Sequence, residues 1–471
     1  MINAETEDLA LGNRSFYDLA EYFCERPHFV FLDSRINVNN MGRRSFLCFD
    51  PFLILTSEGR KCIKRWRDGT RDETEGNPFD VLYKILRDFK MSPEAGVAVS
   101  PFVGGGIGYF AYELGQHLEV LPAPARDGMN IPDCYICFYH FVLIYDHEKR
   151  KAFISFFYPG VKGETNQIEQ IKKDIGSVPE RLYLSKRLFP VEKGRDIFYE
   201  MRSDFTKKEY LRRVTRIKEY IRAGDVYQVN LTQRFHFDIY PVKPWHIYKR
   251  LMDINPSPFA CYLNFENVCV VSSSPERFLR VFDSSVETRP IKGTIKRGSN
   301  PQEDAKQMEY LLTSKKDLAE LAMIVDLLRN DLGRVCRPGT IKVKAFPELE
   351  TYASLHHLVS TIRGELCHDK TIIDLLKASF PGGSITGAPK IRAMEIINEL
   401  EPVKRGIYTG SIGYIGFQGN ADLNIVIRSI IINEGRAYIH VGGGIVDDSV
   451  AEDEYQETLL KGRKLFTALM Q

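Results

Sequence analysis

Short runs of β-branched and aromatic residues, each closed by turn residues, recur along the chain and limit what it can fold into. Between residues 27 and 160 they are "HFVFLDS", "FLILTSEG", "KCIKRW", "FVLIYDH" and "KAFISFFYP". Beyond residue 204 come "VYQVNLTQRFHFDI", "FACYLNF", "VCVVSSS", "IGYIGFQG", "LNIVIRSIII" and "AYIHVGGGI". Helical periodicity is kept apart from these runs. "NPFDVLYKILRDF" offers Asn77 as cap and Pro78 in the first turn. "TKKEYLRRVTRIKEYIRAG" has Thr206 and Glu209 at capping-box spacing, apolar residues from Tyr210 to Ile221 at helical intervals, and Gly224 as its stop. A long segment, "DAKQMEYLLTSKKDLAELAMIVDLLRNDLG", reads as one helix, and a last helix is expected from Ser449. Hairpin-rich strands with separate helices predict an α+β protein with antiparallel sheets rather than a doubly wound one. The charged, Pro-containing stretch "LSKRLFPVEKGRD" divides the chain into an N-terminal region, 1–190, and a second region, 204–471.

At 471 residues the chain can bury a large core and has room for two or three domains. Its 64 basic and 62 acidic residues leave a net charge of +2, and no Lys/Arg run interleaves with aromatics, which argues against nucleic-acid binding. No apolar stretch reaches the roughly 18 residues a membrane helix needs. The acidic start "MINAETEDLALGNRSF" lacks the apolar core of a secretion signal. The 9 cysteines sit mostly inside apolar runs, as reduced thiols would in the cytoplasm. Cys134 and Cys137 form a lone C-x-x-C within "DCYICFYHFVLIY" and read as core strand rather than a zinc or redox site.

The chemistry-bearing residues are polar groups at fixed spacings. In "SVAEDEYQETLLKGRK" Ser449 and Glu452 are spaced as a capping box, which puts Glu454, Glu457 and Lys461 on one helix face. Two acids one turn apart repel unless a cation lies between them, and oxygen donors of this kind suit Mg²⁺; a solvated charged face is the plainer alternative. "GGSITGAPK" and "HVGGGIVDDS" are Gly-rich turns leading into helices, where backbone N–H groups could hold an anionic small substrate. "GGGIGYFA" lacks a βαβ frame and is read as close packing rather than a dinucleotide fingerprint. In "RPIKGTIKR" Lys292 stands between an Ile and a Gly-Thr turn, with Arg289, Lys296 and Arg297 around it. Burial and neighbouring positive charge could hold this lysine partly neutral, as a nucleophile must be.

Taken together, "GDVYQVNLTQRF", "NPSPFACYL", "SSSPERF", "TRPIKGT", "MIVDLLRNDLGRV", "HHLVSTI", "FPGGSITGAPKIRAMEIINELEP" and "GGGIVDDSVAEDEYQET" resemble the chorismate-utilising enzyme family. The likeness runs from about residue 204 to the C-terminus, and more loosely through "PFVGGGIGYFAYELG" and "FLDS" before it. It implies large antiparallel sheets packed as a sandwich with flanking helices, to which the N-terminal region contributes. Lys292 in P-I-K-G-T resembles the aminodeoxychorismate synthase branch, which supplies p-aminobenzoate for folate biosynthesis; anthranilate and isochorismate synthases resemble one another in carrying alanine there. Gln228 stands where isochorismate and salicylate synthases carry a water-activating lysine, which argues against those activities.

Position by position, the resemblance implies Glu276 as general acid, Lys292 as nucleophile and His357 as an active-site histidine. Glu320 and Glu457 match Mg²⁺ ligands, and Glu454 holds the ion directly or through water. Thr294, Tyr408, Arg428, Lys461 and the amides of Gly442, Gly443 and Gly444 match groups around the substrate. Asp326, Asn330 and Asp331 are read as helix-terminating residues, and Glu276 could instead pair with Arg277 or Arg289. The implied reaction is a transaminase-class amination of chorismate by ammonia to 4-amino-4-deoxychorismate: Lys292 attacks C2 as hydroxide leaves C4, and ammonia then enters at C4. No G-x-C-x-G with a downstream His-x-Glu is present, so ammonia would come from free ammonium or a separate glutamine amidotransferase subunit. The rival readings are anthranilate synthase and an amino-acid sensor, since Ser34 in "FLDS" matches a residue lining a tryptophan pocket in relatives.

Overall fold

The computed structural model describes the chain except residues 1, 35, 37–40, 93–98, 123–125, 127, 161–163, 181–200, 240–241, 353–354 and 471, and the side chains of 164–166 and 470. Two twelve-stranded sheets, joined by antiparallel ladders throughout, pack face to face with helices on their outer surfaces. The period-two alternation of the apolar runs builds these layers. Phe29 and Phe31 point to the helices Phe16–Phe23 and Pro244–Ile254, while Val30 between them lies in the apolar layer shared by the two sheets. Ile107, Tyr109, Tyr135 and Cys137 reach that middle layer from the second sheet, and Phe110, Ile136 and Phe138 face its own helices. Strands covered on both faces have no polar side, which is why the runs read as near-continuous hydrophobics.

Each sheet takes strands from both ends of the chain. Phe29–Asp33 pairs with Phe259–Asn264 in the first sheet, and Gly105–Phe110 pairs with Ser411–Gly416 in the second. The expected separator "LSKRLFPVEKGRD" lies outside the described residues. Cys134 and Cys137 are free, buried thiols in the strand Cys134–Tyr139, as read from the sequence. "GGGIGYFA" supplies a central strand, and a Cβ on Gly108 would lie 1.9 Å from the Tyr135 carbonyl oxygen. Among the described residues no helix is long and apolar enough to cross a membrane.

The expected helix caps are present at Asn77, whose Oδ1 accepts from Phe79 N at 3.0 Å, and at Thr206, which exchanges bonds with Glu209. Two helix readings need correction. The long segment is two helices, Pro301–Thr313 and Lys315–Gly333, because Ser314 leaves helical geometry (ψ 104°) and caps the second. The last helix is Ala451–Met470, and Ser449 forms no capping box with Glu452. Its hydroxyl donates to Glu454 Oε1 at 2.6 Å, while Glu452 pairs with Lys207 at 2.7 Å.

Candidate active site

The chemistry-bearing residues collect where the chain passes from one sheet to the other. Glu276 lies in the two-residue step between Val268–Ser274 of the first sheet and Arg277–Phe282 of the second. The hairpin that follows turns at Asp283 and Ser284, both at positive φ. Arg277 bonds Asp422 and Glu287, and Arg289 bonds Glu350 at 2.5 Å, so neither arginine takes Glu276 as its partner. Glu276 is buried, and burial raises its pKa to about 7, against a hydrogen bond from Ser384, the charge of Lys292 and the Ile291 N–H.

Lys292 sits in the edge strand Ile291–Lys296 rather than in a turn. The Gly-Thr pair is a β-bulge: Gly293 has φ +72°, and the register slips so that Thr294 lies opposite His357. Thr294 Oγ1 and His357 Nδ1 are 2.7 Å apart. The Lys292 ammonium donates to the Ser384 carbonyl at 3.2 Å. Lys292 keeps some accessible surface, yet enough protein encloses its amine that burial lowers its pKa, against Glu320 and Glu276, with Lys461 adding to the lowering. The cations expected to do this are turned elsewhere: Arg289 to Glu350, Arg297 to Asp304 at 2.6 Å, and Lys296 outward as an exposed side chain.

Glu320 reaches the same region from Lys315–Gly333, which packs on the strands of Lys292 and His357. Glu454, Glu457 and Lys461 lie on one face of Ala451–Met470, against the strand Arg436–Ile445. Lys461 Nζ pairs with Glu457 at 2.6 Å and donates to the Gly442 carbonyl at 3.0 Å. Burial raises the pKa values of Glu320 and Glu454, and the charge of Glu457 adds to both. Burial acts the same way on Glu457, but the Lys461 ammonium outweighs it and holds the carboxyl below its usual value. The three carboxylates act on one another without closing into a coordination sphere, and among the described residues no three His, Cys, Asp or Glu side chains do so.

The "GGG" stretch is not the turn its composition suggested. Gly442, Gly443 and Gly444 continue the strand Arg436–Ile445, opposite Thr232, Leu231 and Asn230. Side chains are excluded there for distinct reasons: a Cβ on Gly442 would lie 2.5 Å from the Leu231 carbonyl oxygen, and one on Gly444 2.1 Å from Gln228 Nε2. A Cβ on Gly443 would enter the carboxylate space, 3.4 Å from Glu454 Oε2 and 3.3 Å from Lys461 Nζ. On its other side this strand pairs with Ser429–Asn433 only over Arg436–Tyr438, so its glycines lie beyond that ladder.

Arg428, at φ 54°, is half-buried beside this opening and donates to the Lys461 carbonyl. Tyr408 is buried and stacks on His440 at 5.0 Å; burial pushes its hydroxyl up to about 12. Burial, with help from Arg428 and His356, lowers His357 to about 4 and leaves it neutral near pH 7. Its neighbour His356 is structural, bonded to Asp304 and Thr351. Asp331, read as a helix terminator, instead pairs with Lys390 at 2.7 Å and so ties two helices together. Ser34 stands apart from this group, in a cavity lined also by Arg277, Tyr414 and Asp422. Sequence reading missed two residues. Ser384 lay within a quoted motif, and Lys316, whose charge acts on Glu320, Glu454 and Glu457, lies one helical turn before Glu320.

A two-sheet antiparallel sandwich with three coupled carboxylates, a buried acid and a buried amine where its sheets meet defines a small-molecule enzyme class, and comparison with known proteins identifies it. The model of the chorismate binding enzyme family matches residues 29–467, and the chain belongs to this family of chorismate-utilising enzymes. It is 41% identical to anthranilate synthase component 1 of Acetivibrio thermocellus over 437 residues, 91% of this chain and 87% of that one. It is 38% identical to aminodeoxychorismate synthase component 1 of Escherichia coli (strain K12) over 456 residues, 96% of each. The crystal structure of anthranilate synthase component I from Streptococcus pneumoniae TIGR4 superposes with a TM-score of 0.76 at 31% identity, covering 98% of this chain and 99% of that one.

Proposed function

We propose that the protein converts chorismate and ammonia to 4-amino-4-deoxychorismate. The observation that carries this reading is Lys292, an amine with a burial-lowered pKa whose charge is felt by both Glu276 and Glu320. Glu276, protonated up to about pH 7, gives its proton to the departing C4 oxygen, which leaves as water. The neutral Lys292 amine forms a bond to C2 as the C4–O bond breaks and the ring double bonds shift. Ammonia then adds at C4, the bond between Lys292 and C2 breaks, and the enolpyruvyl arm is retained. Neutral His357, held by Thr294, faces the substrate space without contributing charge. Arg428, Tyr408, Lys461 and the glycine strand bind the substrate's carboxylates and side arm.

Glu320, Glu454 and Glu457 would hold Mg²⁺. Their mutual repulsion, and the space over Gly443 where two carboxylate oxygens converge, fit a hard cation. When bound, the ion supplies Lewis-acid polarisation and an anchor for the ring carboxylate. Ammonia is drawn from ammonium or from a separate glutamine amidotransferase subunit, and a size-exclusion shift on mixing the two proteins checks this. Tryptophan at the Ser34 cavity is checked by calorimetry. Relatives named anthranilate synthase favour a second reading, anthranilate formation. Incubation with chorismate, ammonium and Mg²⁺ followed by mass spectrometry decides between them. A product that retains its three-carbon arm supports amination at C4, whereas released pyruvate overturns it.

A further inference from the structure

His357 belongs to the strand Leu355–Glu365, which has neighbours on both sides. Its register partner is Thr294 on one flank and Glu350, of the strand Lys342–Thr351, on the other. Residues paired directly across a ladder project to the same face, so these three side chains lie together. Tyr352, two residues after Glu350, sits just past the end of its strand. Its ring meets the His357 imidazole edge to face, with centroids 5.1 Å apart and planes at 80°. The imidazole is thus held twice, by this ring and by Thr294 Oγ1, 2.7 Å from Nδ1.

The tyrosine is itself anchored. Its hydroxyl donates to Glu350 Oε2 at 3.3 Å. The other oxygen of the buried Glu350 carboxylate accepts from Arg289 at 2.5 Å, and Arg289 also donates to Thr361 Oγ1 at 3.1 Å. Arg289 already matches the charge of Glu350, so the tyrosine hydroxyl is not needed to neutralise it. What this bond adds is a fixed ring. The row Arg289, Glu350, Tyr352, His357, Thr294 starts three residues before Lys292 and returns two residues after it.

We propose that Tyr352 is a positioning residue for His357: its ring, anchored through Glu350 and Arg289, fixes the plane of the imidazole while Thr294 engages Nδ1, which leaves Nε2 for the substrate. The inference rests on the reading of His357 as an active-site residue in the proposed amination. Arg428 and His356 are the charged or titratable groups that act on the imidazole, and a substitution at 352 changes neither.

The test assays full-length native protein, Y352F, Y352L and H357N with chorismate, ammonium and Mg²⁺. NMR of protein made with ¹³C-labelled histidine follows the His357 ring, whose signal is identified by its loss in H357N. Y352L removes the aromatic ring, and its kcat is expected to fall about tenfold with KM within about twofold of native. Its His357 signal loses the ring-current shift and titrates at higher pH than native, because burial holds this imidazole low. Y352F keeps the ring without its anchor and falls only about two- to threefold. Native kcat in Y352L beside an impaired H357N overturns the inference alone, as does a loss of kcat in Y352L with an unmoved His357 signal. Native turnover in H357N overturns the reading of His357, and the inference with it. Should Y352L melt below the assay temperature, Y352F decides. Its two- to threefold fall with a shifted His357 signal supports the proposal, and native values for both overturn it.

Discussion

In the proposed amination, the carboxyl at 276 and the amine at 292 place opposite demands on pH. The acid works only while protonated, so activity should fall as pH rises through about 7. The amine works only while neutral, so activity should also fall as pH drops, and kcat/KM should trace a bell. Glu276→Gln is expected to lose at least about 100-fold in kcat and to remove the alkaline limb, as stopped assays over pH 5 to 9 would record. Lys292→Ala should lose amination by about 100-fold or more while retaining its fold by circular dichroism, and unchanged turnover would reject the nucleophile. The candidate residues were legible from ordered motifs; what lowers the pKa of the Lys292 amine was not. Arg289 and Arg297 are its neighbours in sequence, yet the bulge at Gly293 and the pairing of each arginine with its own acid turn them away, leaving burial and Lys461 to lower the amine.

At the scale of an element, the strand Arg436–Ile445 shows why glycine content alone misleads. Three adjacent glycines suggested a turn, but here they let a strand run beside Gln228–Asp238 and a carboxylate-bearing helix at once. The consequences separate by position. Gly442→Ala puts a Cβ against backbone and should cost about 3 kcal/mol in urea unfolding. Gly443→Ala meets the ends of the Lys461, Glu454 and Glu457 side chains, so the midpoint should shift little while activity falls and the Mg²⁺ concentration for half-maximal rate rises. Apolar periodicity recovered the strands and most helices because burial enforces it. It could not find the break at Ser314, since a capping serine between two helices leaves the apolar spacing intact.

Across the whole molecule, the acidic residues meet only after distant segments fold together: Glu276 at the crossing between sheets, Glu320 on one helix and Glu454 and Glu457 on another. Chelation of divalent ions should abolish turnover and leave far-UV dichroism unchanged, with recovery on adding Mg²⁺. The α+β class could be read from the runs, whereas strand order could not, because nothing in a run names its partner. That order carries a consequence for how such a protein can be cut and rebuilt. With Phe29–Asp33 hydrogen-bonded to Phe259–Asn264, and Gly105–Phe110 to Ser411–Gly416, the molecule has no seam. A fragment starting at residue 204 would carry every acid named above and still present raw strand edges that invite aggregation. Recombination between relatives would therefore have to transplant whole chains, because neither half is a portable module.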